Sequence, residues 1–216
     1  MIRSCCIIGA GNVAWHIANA LSKKISVKQI YSRDINNARL LADIVGAEAI
    51  DNIDELRDDA DLYLISVPDD HIEEIAVASR NIESGIWAHT SGSMPIDVFR
   101  GEKSRFGVFY PLQTFSKTKA VDVSKVPMLI EGSDEETTAS LLILAQNIST
   151  NCRKAGSIER RQLHIAAVFA CNFVNYMWIQ ADELLRQSGL NFDLLKPLLA
   201  ETLDKLNDIT PAEGQT

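Results

Sequence analysis

The chain has 216 residues, 46% hydrophobic and 23% charged, which is enough apolar material for one large domain or two unequal ones with a buried core. A formal net charge of −8 argues against nucleic acid or an anionic membrane as the main partner. Any anion the protein holds must therefore be held by local geometry.

No cationic and apolar signal layout opens the sequence. Its most apolar stretch, residues 165–179, is too short to span a bilayer and carries Asn172 and Asn175. The cytoplasm is the expected location. Four cysteines (Cys5, Cys6, Cys152 and Cys171) form no CxxC pair, so neither a metal site nor a disulfide framework is expected, only reduced and mostly buried thiols.

In chain order, residues 4–8 form a short apolar run in which Cys5 and Cys6 point to opposite faces, and the run ends at Gly9. Residues 12–23 read as a helix, 27–31 as a strand, 36–45 as a helix closed by Gly46, and 47–50 as a short strand. Residues 61–67 (DLYLISV) have the composition of a buried strand, stopped by Pro68. Asp70 followed by Glu73 resembles a capping box opening a helix to about Arg80, and 86–90 is the next strand. This alternation predicts right-handed βαβ units around a parallel sheet.

After Ser91 the rhythm changes. Residues 105–110 and 127–131 read as strands separated by a polar loop, 134–149 as a helix and 151–154 as a last short strand. From Ile158 the chain is helical, with one long helix to about Arg186, a break at Gly189, and a second helix over 192–207. The shift in composition near Ala155 and Gly156 predicts an α/β fold: a Rossmann-type doubly wound sheet over 1–155, followed by a smaller all-helical domain over 156–216. Two helices alone make a poor core. They are expected to pack on a partner copy, as a homodimer, or on sequence that continues beyond Thr216.

The strongest motif is Gly9-Ala10-Gly11-Asn12-Val13-Ala14, a GxGxxA turn between a strand and a helix. Gly9 permits the tight turn, Gly11 lets a pyrophosphate approach the backbone, and Ala14 packs the helix on the sheet. Free N–H groups at the helix start complete an anion site. At the end of the second strand an NAD enzyme places an acid for the ribose 2′-hydroxyl. Here Ser32 stands in that place and Arg33 offers a fork of donors suited to a phosphate, which favours NADP. The competing register makes Asp34 the ribose acid.

Ligands in open α/β sheets lie outside the carboxyl ends of the strands. Those ends supply Ser66-Val67-Pro68 toward the cofactor, then His89-Thr90-Ser91-Gly92-Ser93 and Tyr110-Pro111-Leu112-Gln113-Thr114. Ser91, Gly92, Ser93 and Gln113 are the candidate substrate contacts; the competing reading of the serines is a cap on the short helix from Pro95. His89 reads as a buried strand histidine, and Asp69 and Asp70 as helix-start residues. The long helix adds Arg160, Arg161, His164, Asn172 and Asn175. At 100° per residue His164 and Asn175 share a face, yet His164 and Asn172 are ~12 Å apart along the axis and the two asparagines only ~4.5 Å. The asparagine pair therefore suits a small substrate, or a helix–helix seam, better than the three together.

GAGNVAWHIANAL, ISVPDDHI, HTSGS, GVFYPLQTFS and LHIAAVFACNFVNYM together resemble a family of Rossmann-like proteins provisionally assigned as NADP oxidoreductases. That family is similar to pyrroline-5-carboxylate reductase, ketopantoate reductase and the β-hydroxyacid dehydrogenases. The resemblance implies a Rossmann domain followed by a helical domain that mediates dimers. It also implies a catalytic lysine on the long helix, but no lysine occurs between Lys154 and Lys196. His164 and Asn172 have the spacing of the lysine and second asparagine of the ketopantoate pattern, with Val168 at the first asparagine's place. The expected function is NADP-dependent reduction of a small carbonyl or imine substrate, with His164, Asn172 and Asn175 as catalytic candidates and no metal. The alternative is a dinucleotide-binding sensor or scaffold that turns nothing over.

Overall fold

A computed structural model describes residues 1–214. The chain divides into two compact units, Met1–His164 and Ile165–Thr216. The first unit carries all eight strands: β1 (Ser4–Ile8), β2 (Ser26–Tyr31), β3 (Glu48–Ile50), β4 (Leu62–Ile65), β5 (Ile86–His89), β6 (Phe106–Pro111), β7 (Met128–Gly132) and β8 (Cys152–Lys154). They form one sheet in the order β3-β2-β1-β4-β5-β6-β7-β8. The first six follow the doubly wound order, with the switch point between β1 and β4. The expected parallel sheet holds except at one seam, where β7 runs antiparallel to β6. A polar loop rather than a crossover helix joins those strands, so the chain can return alongside the strand it has just left.

Helices α1 (Asn12–Ser22), α2 (Ile35–Val45) and α4 (Glu135–Gln146) cover one face; α3 (Ile72–Ala78) and a 3₁₀ turn, Ile96–Phe99, cover the other. Alternation along β1 feeds both layers. Cys5 and Ile7 join the first core, with Ala14, Ile17, Leu21 and Leu41, while Cys6 and Ile8 join the second, with Tyr63, Trp87 and Ile72. Burial accordingly drives both thiols above their ordinary range, Cys6 to about 11. Cys152 is half-buried and Cys171 exposed, so burial of the cysteines is confined to β1.

The Asp70 capping box does not form. Beyond Pro68, extended at φ −55 and ψ 148, the chain enters a 3₁₀ turn, Asp69–His71, and neither Pro68 nor His71 makes a side-chain cap bond. Asp70 is thus inside the turn rather than at the extended N-cap position that capping requires.

Most of α5 (Ser157–Ala167) belongs to the first unit. Arg160, 1% exposed, pairs with the Glu131 carboxylate on β7, and Leu163 packs on Val108, Tyr110 and Leu129. The long helix is not α-helical throughout: residues Val168–Phe173 form π-helical turns before α6 (Val174–Gln187) resumes. Such turns hold more residues than an α turn, so projecting Asn172 at 100° per residue is invalid across them. The second unit continues through a 3₁₀ turn, Phe192–Leu195, into α7 (Lys196–Lys205). No residue of the π segment, α6 or α7 is buried, and Phe169, Phe173, Met177, Leu184, Leu198 and Leu203 are among their exposed apolar side chains. Among the described residues, no helix is long and apolar enough to cross a membrane.

Candidate active site

A cleft of about 590 Å³ opens where β1, β2 and β4 end. Gly9 leaves β1 at φ +119, and a Cβ there would lie 2.2 Å from the Ser66 carbonyl oxygen that follows β4. Only glycine lets the two strand ends approach so closely at the switch point. Gly11 then serves as N-cap of α1 without any side-chain cap bond, and the first helical bond runs from Trp15 N–H to its carbonyl at 2.9 Å. The N–H groups of Asn12, Val13 and Ala14 therefore lack intrahelical acceptors. A Cβ on Gly11 would meet nothing within 4 Å. The protein's own packing does not demand glycine at that position; an approaching phosphate would.

Gly9, Ala10, Gly11, Asn12, Ser32, Arg33, Ser66, Val67 and Pro68 all line the cleft. Val13 turns its side chain to the core instead, leaving only its backbone N–H on that side. Both readings of the second strand meet here, because Arg33, Asp34 and Asn37 line the cleft together. Asp34 is the N-cap of α2: its carboxylate accepts from Asn36 N–H at 2.9 Å and from the Asn37 amide at 3.0 Å. Arg33 is exposed and, among the described residues, has no carboxylate within ion-pair distance. His71, Glu74 and Lys117 also line the cleft. Sequence reasoning missed them although His71 lies within ISVPDDHI and Lys117 directly follows GVFYPLQTFS, because neither motif shows which of its side chains turns to the cleft.

The second cluster lies beyond β5 and β6. Ser91 is buried and its Oγ accepts from the N–H groups of Ser93 (3.1 Å) and Met94 (3.0 Å), so it shapes its own loop. Ser93 donates its hydroxyl to the Asp69 carboxylate. His89 is fully buried, and its Nδ1 accepts from Ser91 N–H at 3.1 Å. Burial, reinforced by the Arg160 charge, lowers its pKa to about 4, so it stays neutral and anchors the loop. Arg160 secures the same loop from the other side, donating to the Met94 carbonyl at 2.5 Å.

His164 is half-buried, and its Nδ1 lies 3.0 Å from the Tyr110 hydroxyl, their rings edge to face. A Cβ on Gly92 would come within 2.6 Å of that nitrogen and 2.7 Å of Tyr110 Cζ, so the glycine admits the pair. Gln113 is exposed and its amide oxygen accepts from Thr114 N–H at 2.8 Å. Asn172 lies in the π segment and Asn175 on α6; both are exposed within the second unit. Arg161 is exposed as well. No group of three or more metal-ligating side chains occurs among the described residues.

Strand order, glycine turn and switch-point cleft together define a Rossmann-type dinucleotide-binding oxidoreductase fold. Residues 4–86 match the family described as "NADP oxidoreductase coenzyme F420-dependent", and residues 126–216 match a domain of unknown function, DUF2520. A Bacteroides fragilis protein provisionally described as an NADP oxidoreductase is 39% identical over 100% of this chain and 84% of its own, with a TM-score of 0.94. The chain belongs to that NADP oxidoreductase family, whose cofactor is NADP.

Two more distant structures share the fold. A reductive aminase from Aspergillus terreus, in complex with NADPH and ethyl-5-oxohexanoate, is 16% identical over 96% of this chain and 76% of its own, with a TM-score of 0.75. An imine reductase from Myxococcus stipitatus, in complex with NADP+, is 14% identical over 94% and 77%, with a TM-score of 0.68. No curated protein matches the chain.

Proposed function

We propose that the protein is an NADP-dependent reductase of a small carbonyl or imine compound. The observation that carries the reading is the division of labour at the end of β2. Arg33 and Asp34 both line the cleft, but each carboxylate oxygen of Asp34 already accepts a bond in the α2 cap, while Arg33 is a cation with no carboxylate of its own. A fork of donors in that place suits a 2′-phosphate. The Gly9–Asn12 turn and the N-terminus of α1 suit the pyrophosphate.

NADPH, when bound, supplies the hydride. This chain's residues hold it, orient the substrate and manage the proton. Reduction of a ketone develops an alkoxide, and His164, kept in place by Tyr110, is the group offered as its proton donor. An imine can arrive already protonated as the iminium, so a site without a lysine suits C=N reduction, and the reductive aminase and imine reductase of the same fold support testing that bond first. Ser91, Gly92, Ser93, Gln113, Asn172 and Asn175 are the substrate contacts of this reading. Residues 1–155 hold NADP and 156–216 serve substrate binding and homodimerisation.

The test is titration of NADPH and NADH against wild type and Arg33→Ala, followed by a panel of ketones and imines. NADPH is expected to bind at least ~10-fold more tightly than NADH, a preference of about 1.4 kcal/mol, and Arg33→Ala to abolish the difference. Equal affinities in the wild type would overturn the NADP assignment. Tight NADPH binding with no oxidation across the panel would instead favour a non-catalytic sensor.

A further inference from the structure

The loop after β6 continues one residue past the GVFYPLQTFS motif to deliver Lys117 to the cofactor cleft. Its path is fixed by helix α1. Phe115 and His16, each 8% exposed, stack with ring centroids 5.0 Å apart. His16 Nε2 donates to the Ser116 carbonyl at 2.9 Å, and the same carbonyl accepts from Lys119 N–H at 3.2 Å, closing a tight turn with Lys117 at its tip. The Lys117 ammonium lies 5.2 Å from the centroid of Trp15, on the first turn of α1 beyond the glycine turn. Among the described residues no carboxylate lies within ion-pair distance of it. An acidic protein thus brings a second uncompensated cation to the cleft that Gly11 and Asn12, at the start of α1, also line.

We propose that Lys117 is a pyrophosphate-binding residue, carried on a turn that His16 positions. The inference rests on the dinucleotide reading given above and deepens it. Arg33 at the end of β2 reads the 2′-phosphate, which only NADPH carries. Lys117 beside α1 grips the diphosphate that NADPH and NADH share. An ammonium is a point charge with rotatable donors, suited to a diphosphate whose oxygens spread around the helix end. Its exposure puts the interaction in reach of salt screening.

Direct titration of both cofactors separates the roles. Lys117→Ala, an exposed change that leaves the fold intact, is expected to weaken NADPH and NADH by the same factor, roughly 10-fold at low salt. Arg33→Ala weakens NADPH alone. His16→Phe keeps the stack but loses the bond to Ser116; it should lower both affinities in the wild-type background and do nothing further in Lys117→Ala. A packing role for His16 would lower the melting temperature without that dependence on Lys117. Unchanged affinities in Lys117→Ala, or a loss confined to NADPH, would overturn the assignment while leaving the Arg33 result standing. A wild type that binds neither cofactor would overturn the dinucleotide reading itself.

Discussion

Burial pushes the Tyr110 phenol above its ordinary range, so it keeps its proton and remains a donor at neutral pH. Where that hydroxyl donates to His164 Nδ1 through the 3.0 Å bond, the ring proton lies on Nε2. If His164 serves ketone reduction, His164→Gln should depress turnover by about 10²-fold while leaving NADPH affinity unchanged. Full activity with a lowered melting temperature would make the pair a structural contact. His89 gives a pH prediction. Its folded pKa of about 4 lies below the usual 6.5, so the stability tied to its neutral form is present above 6.5 and is lost as pH falls through about 4. The loss is at most about 3 kcal/mol. Urea melts at neutral pH and near pH 4 should show a shallower acid loss for His89→Gln than for wild type; parallel losses would refute this account.

At the scale of elements, the α2 cap provides a test between two readings of one dipeptide. Asp34→Ala removes acceptors for Asn36 N–H and Asn37 and should cost about 1 kcal/mol in chemical denaturation, with the NADPH preference intact. A selective loss of NADH binding would return Asp34 to the ribose. The start of α5 is tied down in another way. Arg160, the most buried cation, joins Glu131 of β7 to the Met94 carbonyl, so helix, antiparallel strand and the loop after β5 are one polar assembly. Removing one partner of such a pair strands the other, which makes it a rigid support rather than an adjustable contact.

The whole molecule presents a contrast between its two units. The sheet unit closes two cores, whereas the π segment, α6 and α7 leave their large apolar side chains exposed, among them Phe169 and Phe173, which stack edge to face at 4.9 Å. Apolar surface in one continuous helical region is a candidate for a self-complementary two-fold interface. Light scattering at micromolar concentration should report a dimer. A monomer throughout that range would count against the homodimer.

What the sequence determined by itself was local. The spacing of Gly9, Gly11 and Ala14 specified a strand-turn-helix, and alternation in β1 sent Cys5 and Cys6 to separate cores, because backbone geometry and side-chain period act over a few residues. The tertiary structure decided what depends on the path of the chain through space. Tyr110 meets His164 across 54 positions, and His16 meets Ser116 across 100. Neither pairing leaves a periodic trace. The antiparallel seam at β7 and the π turns around Asn172 likewise follow from how strands and helix turns pack, not from the residue types alone. Asp34, which the sequence offers only as an alternative ribose acid, shows its part in the α2 cap through carboxylate bonds to Asn36 and Asn37 that spacing alone did not reveal. A side chain's partners are set by three-dimensional neighbours that sequence spacing does not encode.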